Sequence, residues 1–60
     1  MSQREKAEQV IEIASTLYTK VSKKQYIKEV GYLIESSLGY DLIKSMELAT
    51  NMYKMEGGSK

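Results

Sequence analysis

The stretch "SKKQYIKEVGYLIESSLG", residues 22–39, carries its own start, its own face and its own stop. Ser22 is an N-cap residue, with a side-chain oxygen able to accept from the first free amides of a helix. Tyr26, Ile27, Val30, Leu33, Ile34 and Leu38 then recur at steps of three and four, the spacing of one helical face. Gly39 is suited to the left-handed conformation that ends a helix. Gly31 lies inside the segment, at a cost of about 1 kcal/mol against alanine. It borders the apolar face, so close approach of another helix accounts for it. Tyr32 points away from that face, with Gln25, Lys28 and Ser36.

The same reading extends in both directions. Upstream, Ala7, Val10, Ala14, Leu17 and Val21 form a stripe that Ile11 and Tyr18 widen to about 120°. Ser2 is placed as its N-cap, with Glu5 as capping-box partner. Glu5, Glu8 and Glu12 fall on the opposite side, and Ile13 is apolar but off the stripe. Downstream, Asp41 is the N-cap or first-turn acid of a third helix. Leu42, Met46, Ala49 and Tyr53 make its inner stripe. The expected helices are 3–21, 23–38 and 41–55, and residues 57–60 are expected to be a flexible tail. Short connections make sequential helices close neighbours. The fold class is therefore all-α, a compact three-helix bundle or an orthogonal three-helix array, in one domain over residues 1–56.

Sixty residues bury only roughly 60% of their unfolded surface, so so small a core is marginal without help. The chain has no Cys and no His, which removes disulfides, thiolate metal sites and the common zinc constellations. What remains is tight helix packing or association with another chain. Helix three has apolar residues to spare for that purpose. Leu48, Met52 and Met55 form a second stripe beside the inner one, and the two cover roughly half the circumference. Either the third helix packs against both others and buries both stripes, or the second stripe faces another chain. Methionine is common on adaptable binding surfaces, and tyrosine brings area together with a polar tip. Tyr32 and Ile13 join Leu48, Met52 and Met55 as candidate partner-binding residues. The five tyrosines, with no Phe or Trp, suit half-wet surfaces more than a dry core.

Catalysis has little to build on. Glu8 and Glu12 are one turn apart, but beside Arg4 and Lys6 they read as a solvated face. "EGGSK" has no helix after it and is not a phosphate loop. No catalytic, cofactor-binding or metal-binding residue is assigned. Net charge is +1, so no global field draws in nucleic acid or anionic lipid. Helix one is amphipathic but acidic on its polar side, which argues against a membrane surface. No signal segment is read at the N-terminus, and a cytoplasmic location is expected.

Lys20, Lys23, Lys24 and Lys28 gather around the first connection, and a helix N-terminus there favours a phosphate. The junction "SSLGYDLIK" is superficially like a helix-turn-helix, with helix three as reader. Its outward residues Lys44, Glu47, Asn51 and Lys54 are mixed in sign, and the chain holds one Arg. The expected function is a small non-enzymatic protein-interaction module. It would self-associate as a homodimer or dock on a larger protein as an inhibitor or adaptor does. The alternative is a small DNA-binding transcriptional regulator.

Overall fold

The computed structural model describes residues 2–58 and consists, over that range, of three α-helices joined by short connections. Helix α1 spans Gln3–Tyr18, α2 spans Lys23–Leu38 and α3 spans Leu42–Gly58. Each start is written locally. Ser2 accepts from the Glu5 amide and Ser22 from the Gln25 amide, both at 3.3 Å. The Lys44 amide donates to Asp41 Oδ1 at 2.7 Å. These bonds satisfy amides that have no partner within the helix. Gly39 ends α2 with φ +79°, and its N–H donates to the Glu35 carbonyl at 3.1 Å. A side chain there would be strained by the left-handed backbone.

Helix α2 is the centre of the fold. It makes extensive contact with both neighbours, while α1 and α3 touch only slightly. Gln3 donates from Nε2 to the Leu38 carbonyl at 3.1 Å, tying the start of α1 to the end of α2. Tyr18 and Tyr26 meet at the other end of that pair, with ring centroids 6.1 Å apart. Gly31 faces Met46, and Tyr26 faces Tyr53, so α3 also runs back along α2. The chain is thus an up-down-up three-helix bundle.

The core consists of Val10 and Ala14 of α1, Tyr26, Val30 and Ile34 of α2, and Ala49 of α3. Leu17, Leu33, Leu48, Met52 and Tyr53 pack around it, half-buried. The expected face of α2 is the observed one. On α3 the expected inner stripe holds for Ala49 and Tyr53 and is corrected for Leu42 and Met46. Leu42 is 56% and Met46 43% exposed, whereas Ser45 and Ala49 are fully buried. Small residues four apart let the backbone of α3 come close to α2, and that contact decides which sector of α3 turns inward. The two backbones come near each other beside Gly31, where an added Cβ would stand 3.7 Å from the Met46 Cα. On α1, Ile11 is likewise outside the core, at 56% exposure.

Two further expectations change. Helix α3 does not stop at Met55 but continues to Gly58, so Gly57 and Gly58 are helical rather than tail. Gly57 stands where a Cβ would meet the Tyr18 hydroxyl at 2.9 Å, and its bare backbone leaves room for that phenol. Ser59 and Lys60 of the expected tail lie outside the described residues. Tyrosine also proves to be a core residue here. Tyr18, Tyr26 and Tyr53, one from each helix, cluster with centroids 5.0–6.1 Å apart and tilted or edge-on rings. Such pairs add about 0.5–1.5 kcal/mol each beyond area burial. Only Tyr32 and Tyr40 are exposed.

The cluster carries one cost. The Tyr26 hydroxyl is buried without a hydrogen-bond partner among the described residues. An unsatisfied buried group of this kind costs about 1–3 kcal/mol. Tyr26→Phe is therefore expected to hold or raise stability, by about 1 kcal/mol, in thermal melts near neutral pH. A clear loss would show that the hydroxyl is paired in solution.

Burial, followed by the charges of Glu56 and Tyr18, holds the Tyr26 pKa above 10.0. The unfolded chain then loses this proton first as pH climbs. The stability resting on the protonated phenol is fully present below about pH 10 and is lost as pH rises through the folded value. The alkaline loss should be smaller in Tyr26→Phe than in wild type. Equal slopes in the two chains would exclude Tyr26 as its source.

Candidate functional site

Helix α3 has more apolar surface than the core accepts, and the structure divides the excess between its two flanks. On one flank, Leu42 and Met46 face Tyr32 of α2 across a groove of about 340 Å³. Tyr32 is 66% exposed. Lys28, Glu29 and Glu35 complete the lining. Ile43 stands one residue from Leu42 and is 79% exposed, the highest value among the large apolar side chains. On the other flank, α1 and α3 splay apart above Tyr26. The resulting groove of about 290 Å³ is lined by Ile11, Ala14, Ser15, Met52 and Met55 among others.

The sequence-derived candidates are therefore split. Leu48 and Met52 pack against the core and are half-buried. Met55, seven residues from one and three from the other, is 72% exposed. Ile13 is 43% exposed on α1. Tyr32 is on the surface as expected, but it lies with Leu42 and Met46 rather than with the Leu48–Met52–Met55 stripe. The groove around Tyr32 was hidden in the sequence because two of its members looked like core. Ile43 did carry a signal, since it fits neither stripe of α3.

The α2 rim of the first groove is set by helical spacing. Lys28, Tyr32 and Glu35 fall at steps of four and three and share one face. Glu29 is turned further round the helix, where its carboxylate accepts from the Gln25 side-chain amide. The groove thus has an apolar middle, with Lys28 and Glu29 at one end and Glu35 at the other.

Lys20, Lys23, Lys24 and Lys28 are all exposed. Lys23 reaches over the Tyr53 ring, with Nζ 5.8 Å from the centroid, and so braces the aromatic cluster from outside. Lys44, Glu47, Asn51 and Lys54 are exposed on α3 and mixed in charge. The acidic side of α1 includes an exposed ion pair, Arg4 to Glu8 at 3.5 Å. A pair this open contributes little to stability.

Among the described residues no group of three or more acidic side chains is gathered that could hold a metal ion, and no helix is long and apolar enough to cross a membrane. Comparison with family models, curated proteins and solved structures finds no match for this chain.

Proposed function

We propose that this chain is a small non-enzymatic protein-interaction module of the cytosol, which self-associates or docks on a larger protein and modulates it. The observation that carries the reading is the apolar groove of Tyr32, Leu42 and Met46, with Ile43 beside it. Those side chains are held by two packed helices, so their geometry is in place before a partner arrives. Pre-formed apolar area of this kind is what an interface uses, because little ordering remains to oppose binding. The chemistry elsewhere does not compete. The one phenol with a shifted pKa, Tyr26, is made a weaker acid by burial, the opposite of an activated nucleophile.

The alternative, a small DNA-binding regulator, draws on the exposed lysines of the α1–α2 connection. One experiment separates the readings. A chain carrying Leu42→Glu and Ile43→Glu should keep its helices, because both residues are exposed, and should lose self-association or partner capture. A mobility shift on duplex DNA that weakens steeply with salt, and that the double variant retains, would favour the alternative. A wild type that stays monomeric and whose binding is untouched by the two substitutions would exclude this groove as the working surface.

A further inference from the structure

The reading above leaves the partner open, and the charge pattern of the groove narrows it. Resting on that reading, we propose that the occupant of the α2–α3 groove is a second copy of this chain, with the two α2 helices antiparallel about a two-fold axis near Tyr32. Three features of the surface fit this occupant.

The first is charge order. Lys28 and Glu35 lie two turns apart on one face of α2, about 10 Å along its axis. Their midpoint falls between Gly31 and Tyr32. A two-fold axis through that point sets Lys28 of each copy against Glu35 of the other. A parallel pairing would set lysine against lysine and glutamate against glutamate, so the charges select the antiparallel arrangement. Glu29 lines the groove beside Lys28, its carboxylate accepting from the Gln25 amide, and in a parallel pairing it too would oppose its own copy.

The second is where the apolar area sits. Met46 packs against Gly31, so it stands level with the same midpoint. Tyr32 would meet its own copy close to the axis, Met46 would lie to one side of it at the same level, and Leu42 would add area toward the Glu35 end. The charges flank the apolar middle, as a rim flanks the centre of an interface. The apolar side chains would supply the affinity and the ion pairs the register, since exposed pairs are individually weak.

The third is scale. A standard interface takes roughly 800 Å² from each partner. The chain exposes 4456 Å² in all, so one face of a three-helix bundle is of the right order.

The test is sedimentation across a concentration series for five samples. These are wild type, Lys28→Glu, Glu35→Lys, an equimolar mixture of those two variants, and the chain carrying both substitutions. The expected wild type is a dimer. Each single reversal places like charges across both ends of the interface and should weaken the dimer about tenfold or more. The mixture restores opposite charges at both ends, and so does the double reversal, so both should recover the dimer. Circular dichroism confirms that each variant keeps its helices; both sites are at the rim of the groove rather than in the core. A wild type that is monomeric throughout overturns the proposal. So does a dimer indifferent to the single reversals, or one that neither mixture nor double reversal recovers. If the wild type is monomeric but captures another protein, and Leu42→Glu with Ile43→Glu abolishes the capture, the second copy is excluded while the interaction-module reading stands.

Discussion

Ile34→Ala is expected to leave much of the population unfolded at physiological temperature. Ile34 is 2% exposed and lies in the second half of α2, the helix that both others pack against. Truncating such a residue removes its transfer free energy and leaves a cavity, at a combined cost of about 2–5 kcal/mol. A chain of this length has roughly 3–9 kcal/mol to lose, at ~0.05–0.15 kcal/mol per residue. The same change at Leu17 or Leu33 should cost less. Both belong to the apolar faces read from the sequence, and both prove half-buried at the margin of the core. Thermal melts of the three variants give the order directly. A smaller shift for Ile34→Ala than for Leu17→Ala would mean that the bundle is centred elsewhere.

Met52→Lys should be the second most damaging of the changes considered. Met52 packs against the core from α3, so the new ammonium must either be pulled from water or drag its stem outward. The expected loss is about 1–3 kcal/mol. Met55→Lys, on a residue 72% exposed, should move stability by less than about 0.5 kcal/mol. The contrast decides what the Leu48–Met52–Met55 stripe is for. If Met52→Lys melts with the wild type but Met55→Lys and Met52→Lys both abolish association, the stripe is an interface and the core reading of Met52 is lost. If Met52→Lys alone unfolds, the stripe is partly the bundle's own interior, and a partner surface belongs on the Tyr32 side.

Met46 and Ser45 show why α3 was the hardest helix to phase. Apolar residues occupy about half of its circumference, so periodicity marks a broad sector and no centre. The centre is Ser45 and Ala49, the two residues with least hydrophobic weight in the sector. They are buried and small, and short side chains let that side of α3 lie close to its neighbour, with the Met46 backbone coming up to Gly31. Met46 then falls to the flank and becomes part of the groove. The same reasoning covers the tyrosines. A phenol suits a wet surface on composition grounds, but three of them, one per helix, fill the end of the core together.

What the sequence determined by itself was everything that depends on neighbours within about four residues. Ser2, Ser22 and Asp41 cap, Gly39 stops α2, and steps of three and four make helices of the segments between. Those are short-range hydrogen bonds and dihedral preferences, complete within one turn. Three short, amphipathic helices on short connections then leave little besides a bundle. Only the tertiary structure decided how far α3 is rotated about its own axis, and with it which of its apolar residues are interior and which are surface. That rotation is set by the fit of Ser45, Ala49 and Met46 against α2, a contact between residues more than ten positions apart. Leu42, Met46 and Tyr32 come to line one groove because of that fit.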